Sequence, residues 1–133
     1  MNKAEDAARP LIACVDDEAS VLEALEGLLR AYGYRVRTYG SAEEFLQSSE
    51  LRSIACLITD VHLGGQSGLQ LQDALTAMGH AIPTIIITAF GEDGYRATAV
   101  KAGAVDFLTK PISPTRFLAA VRSALGQHDP ERD

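Results

Sequence analysis

The chain of 133 residues has no tryptophan and only two cysteines, Cys14 and Cys56. Both cysteines sit inside short apolar runs, with no histidine pair beside them. That pattern fits neither a zinc site nor a disulfide framework, and both thiols read as small buried hydrophobes. Positive charge is scarce too: 12 Lys and Arg stand against 18 Asp and Glu, for a net charge of -6. Such a balance argues against general affinity for nucleic acid or anionic membrane. No apolar run is long enough to span a bilayer, and residues 1–10 are charged with no signal-peptide core. The cytoplasm is the expected location. Internal repeats and low-complexity tracts are also missing. What is present is ordinary for one globular domain, with 47% hydrophobic and 23% charged residues.

The apolar residues alternate between two periods. Residues 11–15 (Leu-Ile-Ala-Cys-Val) form a short buried strand that runs into Asp16, Asp17 and Glu18. Val21, Leu22, Leu25, Leu28, Leu29 and Tyr32 recur at helical spacing, and Gly33 stops them. Residues 35–39 alternate like an edge strand, and Ser41-Ala42-Glu43-Glu44 has the capping-box form that opens a short helix. The continuous apolar run 54–59 ends in Asp60, and the glycine-rich stretch 64–68 follows. Leu71, Ala74, Leu75 and Met78 mark a third helix. Residues 83–88 are the most β-branched run and form a central strand. A thin stripe from about residue 94 to 102 gives a fourth helix, residues 104–108 a fifth strand, and Ser113-Pro114 the start of a last helix ending at Gly126. Five strands alternating with five helices imply a parallel sheet covered on both faces. The domain is expected over residues 11–126, with residues 1–10 frayed and 127–133 a polar tail or the start of a linker.

In such a sheet the carboxyl ends of the strands lie along one edge, where open α/β folds bind ligands. The strands deliver Asp16 and Asp17, then Asp60, Thr88 and Lys110 to that edge. Each has a bland reading: acids favour helix starts, threonine suits strand ends, and lysine is usually solvated. All of them together, each at the end of a different element, call for another explanation. Three carboxylates repel unless a cation joins them, and an all-oxygen set suits a hard ion such as Mg2+. Mg2+ beside carboxylates suggests phosphoryl chemistry, with Asp60 as the attacking carboxylate and Thr88 and Lys110 holding phosphoryl oxygens.

This set, with Ala89 after Thr88 and Pro111 after Lys110, resembles the receiver domain of two-component response regulators, over about residues 11–125. The stretch 101–111 is similar to the FixJ-type branch. The resemblance implies a CheY-like (βα)5 fold with strand order 2-1-3-4-5. It implies a phosphorylation-dependent switch that accepts a phosphoryl group on Asp60 from a sensor histidine kinase. It also implies that Asp17, Asp60 and the backbone carbonyl of His62 bind Mg2+ directly and Asp16 mainly through water. Phe107 stands at the aromatic switch position, the Lys110-Pro111 bond is cis, and Gly68 ends the loop after the phosphoacceptor. His62 and Phe90 flank the water's path to the phosphate and would tune its lifetime. The output face would be the fourth helix, fifth strand and fifth helix, used for homodimerisation, for a downstream protein or for a DNA-binding domain outside these residues.

Two features depart from the family's usual pattern. Leu63-Gly64 stands where Met-Pro is common, so the loop is expected to be more flexible. Phe107 lacks the hydroxyl of the common tyrosine. A magnesium-dependent phosphatase with an aspartyl nucleophile is the alternative. Such enzymes usually carry a second acid two residues after the nucleophile, where this chain has His62, and a substrate cap for which it has no room.

Overall fold

The computed structural model describes residues 9–63, 65–89, 93–101 and 103–126. Residues 1–8 and the polar tail 127–133 lie outside them. Five strands form one sheet: β1 (Leu11–Val15), β2 (Arg35–Tyr39), β3 (Ile54–Asp60), β4 (Thr84–Thr88) and β5 (Asp106–Thr109). Their order is β2-β1-β3-β4-β5, and every neighbouring pair is parallel. Between and after them run α1 (Ala19–Ala31), α2 (Ala42–Leu46), α3 (Gly68–Ala77), α4 (Asp93–Lys101) and α5 (Pro114–Ala124). A 3-10 turn, Leu51–Ser53, leads into β3.

Burial follows position in the sheet. β1 and β4 are buried along their whole length, as continuous apolar runs require, while the edge strand β2 buries only Val36 on one face and Tyr39 on the other. Ile12, Cys14, Cys56, Ile58, Ile85 and Ile87 pack with Leu25 and Leu29 of α1 and Phe117 and Val121 of α5. The alternate residues Leu11, Ala13, Val15 and Leu57 pack with Phe45 of α2 and Leu71 and Leu75 of α3. Val61, Ile86 and Phe107 meet Ala99 of α4. The sheet is thus sandwiched between α1 with α5 and α2 with α3 and α4.

Several boundaries differ from the sequence reading. Tyr32 and Met78 continue the apolar spacing, but each caps its helix and is 56% and 51% exposed. The helices run past the sheet there, so the stripe has nothing left to cover. β5 starts at Asp106 rather than at residue 104, because Ala104 and Val105 still turn the chain: their amides bond the carbonyls of Ala99 and Thr84. At α2, Ser41 Oγ accepts from the Glu44 N–H, yet the Glu44 carboxylate reaches Gly40 N rather than Ser41 N. The complete capping box is at α3, where Ser67 and Gln70 each accept the other's backbone N–H, at 3.1 and 2.8 Å.

Candidate functional site

Sheet topology carries the site. β3 lies between β1 and β4, so the residues that end these three strands are neighbours at one edge. Asp16 follows β1 and extends its pairing, its amide donating to Tyr39 O at 3.1 Å. Its side chain is fully buried, and Oδ1 accepts the Glu18 N–H at 2.9 Å. Asp60 is the last residue of β3 and is 5% exposed. Its Oδ1 accepts the His62 N–H at 2.8 Å, which fixes the carboxylate against its own loop.

Lys110 completes the arrangement. Its backbone N–H donates to Thr88 O at 2.8 Å, which sets it beside the buried end of β4. Its ammonium donates to Asp60 Oδ2 at 2.7 Å and to Asp16 Oδ2 at 3.4 Å. One cation therefore bridges two carboxylates from different strands. Burial alone would lower the pKa of Lys110, but the hydrogen bond to Asp60 and the charges of Asp16 and Asp60 outweigh it, and the net shift is upward. Burial raises the pKa of Asp16, against the Glu18 N–H and the Lys110 charge, which pull it down. The Lys110-Pro111 peptide is cis.

The carboxylate oxygens of Asp16, Asp17 and Glu18 lie within 4.8 Å of one another, with Asp17 and Glu18 exposed. Asp60 is outside that trio and joined to Asp16 through Lys110. The donors are all oxygen, and a buried acid whose charged form is disfavoured gains from a cation, so these residues fit a divalent hard ion. Glu18 was legible only as the third acid of a run. His62 has an exposed side chain, and the described contact of its backbone is the amide on Asp60, not its carbonyl. Phe90 lies outside the described residues. Phe107 is 1% exposed and already packed inside, against Val61, Ile86 and Ala99.

The family model of the response regulator receiver domain matches residues 12–122. The chain belongs to this family. The receiver is 43% identical over 115 residues to the response regulator protein TmoT of Ectopseudomonas mendocina, covering 86% of this chain and 52% of that protein. It is 44% identical over 111 residues to the transcriptional regulatory protein TdiR of Thauera aromatica, covering 84% and 49%. The crystal structure of FixJ-N superposes with a TM-score of 0.80 at 33% identity, over 90% of the receiver and 96% of that chain. The receiver spans about half the length of these curated relatives. The FixJ-type likeness and the CheY-like fold are both borne out, and the phosphatase alternative finds no support. Among the described residues, no helix is long and apolar enough to cross a membrane.

Proposed function

We propose that this receiver works in the cytoplasm as a phosphorylation switch, taking a phosphoryl group on Asp60 from a sensor histidine kinase. The observation that carries the reading is the Lys110 ammonium held between Asp60 and Asp16 at the sheet edge. Mg2+ would be held by Asp17, Asp60 and the His62 carbonyl, with Asp16 behind them, and would neutralise charge on the phosphoryl oxygens. An Asp60 oxygen forms a bond to phosphorus as the donor's bond to phosphorus breaks, leaving an acyl phosphate that water later hydrolyses. Lys110 releases Asp60 and takes one phosphoryl oxygen, and the Thr88 hydroxyl takes another.

The added charge biases a two-state element rather than acting at a distance. Thr88 ends the strand that pairs with β5, in register with Thr109, and Ile86 pairs with Phe107. Movement of Thr88 is therefore felt at the Phe107 ring and at α4, which rests on it through Ala99. The face of α4, β5 and α5 carries exposed Val100 and Val105, which suits a homodimer or a protein partner formed on phosphorylation. Likeness to transcriptional regulators favours an attached DNA-binding output over a separate partner.

The test is labelling with acetyl phosphate. The wild-type protein should take up one phosphoryl group when Mg2+ is present and none in EDTA. Asp60→Ala should abolish uptake while circular dichroism stays native. Undiminished labelling of Asp60→Ala would sink the assignment.

A further inference from the structure

The two glycines behind Asp60 suggest a loose loop, yet the structure supplies a brace for it. Glu43 lies in the first turn of α2, 23 residues before Gln66 in sequence. Its Oε1 accepts the backbone N–H of Gln66 at 3.3 Å. The same oxygen lies so close to Gly65 that a Cβ built there would meet it at 3.1 Å, which is tighter than nearly all real contacts. One carboxylate thus fills the space that a side chain at position 65 would need and satisfies the next amide. We propose that Glu43 is a positioning residue for the phosphoacceptor loop, bracing Gly65 and Gln66 from α2 and so holding the backbone between Asp60 and α3.

The brace is well founded at both ends. The start of α2 is itself tied down by Ser41 Oγ on Glu44 N and by Glu44 Oε2 on Gly40 N, so Glu43 projects from a fixed turn. Its negative charge also suits the positive start of that helix. Beyond Gln66 the chain is held by the Ser67–Gln70 capping box and by the Gly68 N–H on Val61 O at 3.0 Å. Two adjacent glycines have the most backbone freedom to lose, so a single charge-assisted hydrogen bond weighs heavily there. The loop starts at His62, whose amide sets the Asp60 carboxylate and whose carbonyl is a proposed Mg2+ ligand. Positioning through Glu43 would therefore act on metal affinity and phosphorylation rate, and this consequence rests on the receiver chemistry proposed for Asp60.

The test uses the intact chain with Glu43→Ala and Glu43→Gln. Three quantities are read: amide exchange and 15N relaxation at Gly65 and Gln66, Mg2+ affinity by titration, and the rate of labelling by acetyl phosphate. Glu43→Ala should speed exchange at Gln66 and weaken Mg2+ binding by about threefold to tenfold, the scale of one solvent-exposed charged hydrogen bond. Glu43→Gln, which keeps the acceptor, should restore most of both. Unchanged Gln66 exchange in Glu43→Ala would overturn the brace. So would a Glu43→Gln variant as weak as Glu43→Ala, because bulk charge rather than the hydrogen bond would then be responsible. A wild-type protein that takes no phosphoryl group would overturn the reading of Asp60 instead, with the exchange data still reporting on Glu43.

Discussion

Lys110 is the residue on which the site's charge balance turns. Its side chain is only 18% exposed and faces two carboxylates, one of them fully buried. Removing one partner of a buried ion pair costs about 3–5 kcal/mol, because the other charge stays behind uncompensated. Here some water reaches the lysine, so Lys110→Ala should destabilise the metal-free protein by about 1–3 kcal/mol. A divalent cation can take over the neutralising role at Asp16 and Asp60. Mg2+ should therefore raise the melting temperature of Lys110→Ala by more than it raises that of the wild type. Thermal unfolding with and without Mg2+ checks this. Equal or smaller Mg2+ stabilisation of the variant would mean that Lys110 does not occupy the place of a cation between the two acids. The variant should also lose the link from phosphorylation to α4. This bridge was not legible in the sequence. Lys110 could be placed at the strand-end edge, but its contact with Asp60 spans 50 residues and depends on how Thr88 O holds its backbone.

At the scale of elements, α3 shows what local pattern can and cannot reveal. The glycine-rich stretch after Asp60 read as flexible, and Gly68 only as the end of a loop. The structure gives Gly68 a different reason: a Cβ there would overlap the Asp60 carbonyl oxygen and press on Thr59 Cγ2 at 3.3 Å. The helix therefore begins in direct contact with the residue that bears the site. Gly68→Ala should cost about 1–3 kcal/mol by overpacking, where an ordinary glycine at a helix start would gain from alanine. Urea unfolding measures it, and a neutral or stabilising result would show that α3 does not press on Asp60. The same contrast runs through the fold. Strands β1, β3 and β4 were readable because burial on both faces leaves an uninterrupted apolar run. The acids, Thr88 and Lys110 were readable because each follows such a run. The interlocking of the pieces was not: the Gly68 close approach, the Glu43 brace and the packing of Phe107 all join residues that no local pattern links. Boundaries at Tyr32 and Met78 were missed because apolar spacing continues past the point where a neighbour remains to be covered, and the start of β5 because the chain is still turning at Ala104.

At the scale of the whole molecule, the site is only as stable as the sheet beneath it, and the sheet contains two buried thiols. Cys14 precedes Asp16 by two residues and Cys56 precedes Asp60 by four, so the strands that present the acids also carry the thiols. Both are fully buried in the core layer shared by α1 and α5. Burial pushes the Cys56 thiol up from 9.0 to about 12. Burial pushes Cys14 up as well, helped by Cys56 and by the negative charges of Glu26 and Asp16. Well below pH 9 the thiols are protonated whether the chain is folded or not, so they add no pH dependence there. Between pH 9 and about 12 the unfolded chain loses protons that the folded chain keeps. Stability must then fall as pH rises, by about 1.4 kcal/mol per pH unit for each thiol. Tyrosines and lysines titrate in the same range, so the thiol part is isolated by comparing wild type with Cys56→Ala. The variant will be less stable at pH 8 because it leaves a small cavity, but its stability should decline less steeply from pH 9 to 10.5. Urea unfolding at half-unit steps of pH measures both slopes. Parallel slopes would show that Cys56 ionises as readily in the folded sheet as in the open chain, which a side chain sealed between β1, β3 and the helices above them cannot do.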